Sequence, residues 1–215
     1  MKKILLIGGG GHCNVVIDAI LAARKYAVAG IIDQNKPKGE RVLGFSVIGD
    51  DKALKKCFDS GIKDCFITVG SVGNGSVRAR LYGLLKKYGY SFPNLIHPDS
   101  VISKFAELGQ GNFIASFSII NAGAVIGNNC IINTGAIVEH DCFIGDFAHI
   151  SPGAIICGGS KIGEYTHVGA GSVVIQCIKV GKNSLIGAGS VVVKDIPDGV
   201  VACGNPCKKI KNNGK

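Results

Sequence analysis

Charge, proline and long apolar runs are all scarce in this chain, and each scarcity removes a class of protein. Only 18% of residues are charged against 47% apolar, which rules out an intrinsically disordered chain. Six prolines and no G-x-y register exclude collagen, although 32 of the 215 residues are glycine. No apolar run approaches the ~18 residues of a membrane-crossing helix. The basic start Met1-Lys2-Lys3 leads into a short apolar stretch, residues 4–7, and then into glycine. That stretch is too short for a signal-peptide core. None of the nine cysteines forms a C-x-x-C pair, and the nearest spacing, Cys203 to Cys207, has no histidine close in sequence. Reduced thiols, a cytoplasmic location and no membrane insertion are therefore expected.

The formal net charge of +9 raises the question of nucleic acid, and its distribution answers it. Residues 1–97 carry a net +8, residues 98–207 a net −3, and the last eight residues add four lysines. No basic stripe with interleaved aromatics runs along the chain, so no nucleic-acid partner is expected. The excess lies where anionic small molecules would be held.

Residues 1–97 alternate between strand and helix patterns. Residues 3–7 read as a strand, Gly8, Gly9, Gly10 and Gly11 as a turn, and 12–25 as a helix. Strands follow at 27–32, ending at Asp33, and at 65–69, closed by Gly70. A helix at 77–88 buries Leu81, Leu84 and Leu85 and turns Arg78, Arg80, Lys86 and Lys87 largely to solvent. This is a small parallel α/β domain. From Val101 the period changes. An aliphatic residue stands at every sixth position from Ile102 to Val192, sixteen positions in all, and a small residue follows four places later in nearly every repeat. Glycine recurs at 109, 127, 145, 163 and 181, a spacing of three hexads. Each rung of such a repeat buries one aliphatic side chain and stacks on its neighbours, as in a β-solenoid.

The hexad pattern resembles the left-handed parallel β-helix of bacterial acyltransferases. Together with the Gly8-Gly9-Gly10-Gly11-His12 turn, Glu139-His140-Asp141-Cys142 and Gly204-Asn205-Pro206, it resembles the family of sialic-acid O-acetyltransferases and UDP-4-amino-sugar N-acetyltransferases over residues 3–210. The fold class implied is an α/β Rossmann-like nucleotide-sugar-binding domain (1–97), a left-handed β-helix (98–196) and a C-terminal segment with a basic tail (197–215). The activity implied is acetyl transfer from acetyl-CoA to the amino group of a UDP-linked amino-sugar in a homotrimer, with sites between neighbouring prisms.

Counting hexads sends Val138 and Cys142 inward and His140 outward. Histidine titrates near neutrality and can take a proton as a nucleophile attacks a thioester. An adjacent carboxylate would fix its tautomer, and the resemblance gives that role to Asp141. The alternative is a solvated histidine between two surface acids. The resemblance further implies that His149, Gly158, Ala170 and Ala188 bind acetyl-CoA, Gly158 offering its N–H to the oxyanion. Read alone, Gly158 is a corner glycine of a solenoid. Cys142 and Cys157 are candidate nucleophiles, but the inward slot of Cys142 points to inert packing.

His149 and His167 lie eighteen residues apart and should stack. They do not reproduce a three-histidine metal layout, so no metal is expected and His167 reads as a surface residue. The glycine turn offers backbone N–H groups to a phosphate, and Asp33 sits where a dinucleotide fold binds ribose. The G-x-G-x-x-G spacing fails, however, because Cys13 or Asn14 stands where the third glycine belongs. The resemblance implies instead that His12, Cys13, Asn14, Asp33, Gln34 and Gly70 hold the substrate's nucleotide, with Gln34 replacing a second acid. Lys208, Lys209 and Lys211 either meet CoA phosphates or belong to a frayed tail. Rivals are O-acetylation of sialic acid, a metal-dependent hydratase and a non-catalytic scaffold.

Overall fold

The computed structural model describes residues 1–73 and 75–214. The chain divides into two units, one of Met1–Gly70 and Ser76–Pro98, the other of Ser71–Gly75 and Asp99–Lys215. In the first, β1 (Lys2–Ile7), α1 (Gly11–Ala23), β2 (Tyr26–Ile32), β3 (Arg41–Val42), β4 (Phe45–Gly49), α2 (Leu54–Asp59), β5 (Asp64–Ile67) and α3 (Ser76–Lys87) follow in order. The sheet order is β3-β4-β2-β1-β5, parallel except for the β3–β4 hairpin. The core strand β1 is fully buried from Ile4 to Leu6, as expected for a central strand covered on both faces. Helix α3 departs from expectation. Arg78 is 1% exposed, because its position in the first turn of the helix faces His12 rather than solvent. The β3–β4 hairpin and α2 are too short to leave a periodic signal, and the sequence did not reveal them.

The second unit is a parallel β-helix built from three ladders of two-residue strands. The first face stacks Val101–Ile102, Ile119–Ile120, Ile137–Val138, Ile155–Ile156, Val173–Val174 and Val191–Val192. A second face begins at Glu107–Leu108 and a third at Phe113–Ile114. From Val101 to Val192 the strands pair residues eighteen apart, so one coil is three hexads. The second residue of each strand points inward: Ile120, Val138, Ile156, Val174 and Val192 are all 0% exposed. At that spacing the small residue of each hexad must fill the corner. Where it carries a hydroxyl, the hydroxyl is satisfied by a carbonyl, either of the next coil, as for Ser160 on Ile175 (2.8 Å) and Ser172 on Gly187 (2.9 Å), or of its own corner, as for Ser118 on Ala115 (2.7 Å) and Ser190 on Gly187 (2.6 Å).

The corners need one residue per hexad in the left-handed region, and this is a second, unforeseen use of the repeat. Gly135, Gly153, Gly171 and Gly189 fill it along one edge, but Asn129, Asp141, Phe147, Tyr165, Cys177 and Asn183 adopt it as well. Residues 200–213 are paired into the structure rather than frayed. Val200–Cys203 extends the third ladder, and Lys208–Asn212 returns antiparallel beside it. Asn213 then hydrogen-bonds the carbonyls of Gly73 (3.1 Å) and Asn183 (2.9 Å). Among the described residues, no helix is long and apolar enough to cross a membrane.

Candidate active site

Two constellations form, one on each unit. On the β-helix, Glu139, His140 and Asp141 begin the edge that joins the first face to the second. Val138 and Cys142 on either side are 0% and 1% exposed, which leaves His140 projecting outward. Asp141 sits at the left-handed corner with φ 59°, a conformation that Asp tolerates better than most residues. Its Oδ2 lies 2.9 Å from His140 Nδ1, while Oδ1 lies over Gly123, one coil back, where a Cβ would stand 2.4 Å from it. The acid can therefore reach the ring only because residue 123 lacks a side chain.

The mirror of that arrangement lies one coil on. A Cβ at Gly158 would stand 2.5 Å from His140 Nε2 and 2.7 Å from Cε1. The ring is thus laid across a bare backbone, and any larger residue at 158 would push it away. Among the described residues the Gly158 N–H has no backbone acceptor. The carbonyls on either side are engaged, since Gly159 N–H donates to His140 O (2.9 Å) and Cys177 N–H to Gly158 O (3.0 Å). The hydrogen bond to Asp141, followed by the charges of Asp141 and Glu139, holds the His140 pKa above its ordinary value near 6.5. With Nδ1–H donated to Asp141, the Nε2 lone pair is the free base. The thiol of Cys142 is pushed up to about 11 by burial and donates to the Cys157 carbonyl at 3.1 Å. Cys157 is likewise shifted upward by burial. Neither is a ready thiolate.

His149 does stack on His167, with ring centroids 4.7 Å apart and planes at 87°. Asn133 Oδ1 accepts from Thr134 N–H (2.9 Å), so its Nδ2 faces His149 Nε2 (3.1 Å). The proton of His149 must then sit on Nδ1, donated to the Ser71 carbonyl at 2.9 Å. His167 is not a surface residue: it is 8% exposed, with Nε2 3.1 Å from Ser151 Oγ, and burial lowers its pKa. Coil stacking covers it with His149 and Leu185, which a count of outward positions does not reveal. Among the described residues no group of three or more His, Cys, Asp or Glu could hold a metal ion. Ala170 and Ala188 are exposed and stack on one another. Their edge joins the third face to the first, so they flank the first face on the side opposite His140.

On the first unit, Gly8 (φ 109°) packs so tightly that a Cβ would stand 2.6 Å from Val69. Asp33 pins the turn, accepting from Gly9 N–H (2.6 Å) and, through its other oxygen, from Asn35 N–H (2.8 Å). Gly70 lies against His12. Burial first, and the Arg78 cation second, lower the His12 pKa to about 4, so its ring is neutral at physiological pH. Cys13 turns its thiol into the core, where burial raises it to about 11. Gln34 Nε2 donates to Asp51 Oδ2 (2.5 Å). Gly9, Gly10, Gly11 and Asn14 line a cleft of about 440 Å³ together with Lys36 and Arg41; Lys36 lies against Gly9 and is ion-paired with Glu40. Sequence reasoning missed both cations. Arg41 lies on the unforeseen β3, and Lys36 follows Asp33 in a stretch with no periodicity, leaving only net charge as a signal.

A parallel β-helix of hexapeptide coils, with a histidine–carboxylate pair laid across a glycine on its edge, defines a hexapeptide-repeat acyltransferase. The family described as PglD N-terminal domain matches residues 3–85, and bacterial transferase hexapeptide (six repeats) matches 141–176 and 159–194. The structure is similar to that of a histidine variant of perosamine N-acetyltransferase from Caulobacter crescentus in complex with CoA and GDP-perosamine, at 37% identity and TM-score 0.93 over 99% of this chain and 98% of that one. It is also similar to the acetyltransferase domain of PglB from Neisseria gonorrhoeae FA1090 in complex with acetyl coenzyme A, at 37% identity and TM-score 0.90 over 97% and 99% of the two chains. A UDP-N-acetylbacillosamine N-acetyltransferase of Bacillus subtilis (strain 168) is 39% identical over 114 residues, 53% of this chain; the match spans about half (51%) of that relative's length. The chain belongs to this family of PglD-type hexapeptide-repeat sugar N-acetyltransferases, and its β-helix is left-handed as theirs is.

Proposed function

We propose that the protein transfers the acetyl group of acetyl-CoA to an amino group of a nucleotide-linked amino-sugar, by direct attack and without an acyl-enzyme. The observation that carries this reading is the His140 ring, held by Asp141 on one side and seated on Gly158 on the other. His140 Nε2 takes a proton from the attacking amine, and the Gly158 N–H meets the oxygen of the tetrahedral intermediate. The C–S bond then breaks, and the departing thiolate accepts the proton from His140. His149, Ala170 and Ala188 extend the acetyl-CoA site. The nucleotide belongs on the first unit, with the diphosphate at the glycine turn between Lys36 and Arg41 and the neutral His12, Asn14, Asp33, Gln34 and Gly70 nearby. The similar Caulobacter structure holds GDP-perosamine, whereas the curated Bacillus relative is named for a UDP-sugar, so guanine and uracil are both arms of the test.

The assembly we infer is a homotrimer. The first face presents an unbroken outward row of Val101, Ile119, Ile137, Ile155, Val173 and Val191, while the second presents Glu107, Val125, Phe143, Lys161 and Lys179. The apolar face, flanked by the His140 edge and the Ala170 and Ala188 edge, is the one suited to other copies of the chain. Among the described residues no disulfide joins the nine cysteines, which accords with work in the reducing cytoplasm. The test is release of CoA thiol from acetyl-CoA with a panel of UDP-, GDP- and dTDP-4-amino-sugars and free sialic acid. Turnover is expected on one of the nucleotide amino-sugars, and His140→Ala is expected to lower kcat by about 10²–10⁴-fold. Turnover on sialic acid alone, or full activity of the variant, would overturn the reading.

A further inference from the structure

Acetyl transfer by His140 and Asp141 leaves one partly buried carboxylate beside the base unused. Glu139 precedes His140 on the same edge and is half-buried. It is not loose, because Asn121, one coil back, donates Nδ2–H to its Oε2 at 2.9 Å. The same oxygen lies 3.4 Å from the His140 backbone N. Both contacts fall on Oε2, and among the described residues no hydrogen bond engages Oε1. A carboxylate anchored through one oxygen, with the other open beside the catalytic base, is built to accept from a donor that arrives with the substrate.

We propose that Glu139 is the amine-recognition residue of this enzyme, its Oε1 accepting an N–H of the acceptor amine and selecting an amino-sugar over the corresponding hydroxy-sugar. The inference rests on the acetyl-transfer reading and deepens it. An amine brings more than one N–H to the site, and an ammonium brings three; a hydroxyl brings one. His140 Nε2 needs one proton of the nucleophile, so a hydroxyl has nothing left to give Glu139, and an oxygen lone pair would face the carboxylate instead. An amine donates one N–H to His140 and a second to Glu139, which aims its lone pair at the thioester carbonyl. In the ammonium form the carboxylate adds charge complementarity, and the first proton leaves to solvent before attack. The proton on the departing sulfur still comes through His140. An unmatched buried acceptor is among the stronger sources of discrimination against an analogue that lacks the donor.

The test compares Glu139→Gln and Glu139→Ala with the unaltered protein on the best nucleotide amino-sugar of the panel and on its 4-hydroxy counterpart. The glutamine keeps an oxygen for Asn121 but puts an NH2 donor where the Oε1 acceptor stood, and its thermal unfolding serves as a check on folding. The KM for the amino-sugar is expected to rise in both variants on either side of the amine's own pKa, by at least tenfold below it, where the charge is lost along with the acceptor. The KM for acetyl-CoA should be unchanged, while kcat with the amino-sugar falls together with the rise in its KM, because the lone pair is no longer aimed. The preference for amine over hydroxyl should fall in both variants. A fall in kcat with KM unmoved would show Glu139 acting through His140 and would overturn the proposal, as would an unchanged amine preference. If the unaltered protein turned over no nucleotide amino-sugar at all, the acetyl-transfer reading and this inference would fall together; turnover with an indifferent Glu139→Gln sinks this inference alone.

Discussion

At the scale of single residues, the site depends on what is missing as much as on what is present. His140 and Asp141 meet because Gly123 and Gly158, one coil to either side, have no side chains to fill the space. The outward turn of His140 was legible by counting hexads, and so was the inward burial of Cys142. The left-handed corner at Asp141 was not, since Phe, Tyr, Asn, Cys and Gly share that position along the chain and no composition marks it. His167 and Arg78 were misread for a related reason, because their covering partners come from other coils or elements. The Asp141 contact has a consequence for pH dependence. It raises the His140 pKa, so the base becomes protonated, and activity is lost, at a higher pH than for an ordinary imidazole. In Asp141→Asn the acidic limb of kcat/KM should move to lower pH while the plateau falls about 10–100-fold. A limb that stays in place would mean that Asp141 does not set the base.

Elements of two residues cannot be stable alone, so the coil-to-coil contact decides what each position tolerates. The glycines fall into two groups that the sequence period did not separate. Gly145 has ordinary φ, but a Cβ there would lie 2.6 Å from the backbone N of Glu164 in the next coil. Gly135 has φ 64° and open space around it. Gly145→Ala must therefore push adjacent coils apart, an overpacking cost of about 1–3 kcal/mol or more. Gly135→Ala meets only the left-handed penalty of about 1–2 kcal/mol. Chemical denaturation should rank Gly145→Ala as the less stable, and the reverse order would show that the coils yield more readily than the corner. The inward aliphatic row was fully legible because it repeats without interruption. The β3–β4 hairpin, and with it Arg41 above the glycine turn, was hidden because a two-residue strand is below the length at which alternation can be counted.

For the whole molecule, the division of charge and apolar surface separates two tasks. The net +8 of residues 1–97 surrounds a glycine turn suited to phosphate, while the β-helix is mildly acidic and keeps one face apolar. Placing a charge in that apolar row should abolish self-association. On the proposed trimer, light scattering is expected to give a trimer for the unaltered protein and a monomer for Ile155→Glu, which should lose turnover without loss of β-helix signal in circular dichroism. An unaltered protein that is monomeric at micromolar concentration would refute the assignment of the face. The eighteen-residue coil also limits how this chain can vary in length. Removing six residues between His140 and Gly158 would leave His140 in place and carry Gly158, Ala170 and Ala188 round to different edges. Removing eighteen from a stretch of the β-helix clear of residues 123–158 would keep every edge in line. Relatives that keep the chemistry can therefore lengthen or shorten the helix only by whole turns, unless the extra residues bulge from a corner. Alignment gaps in this half of the chain should fall into that arithmetic.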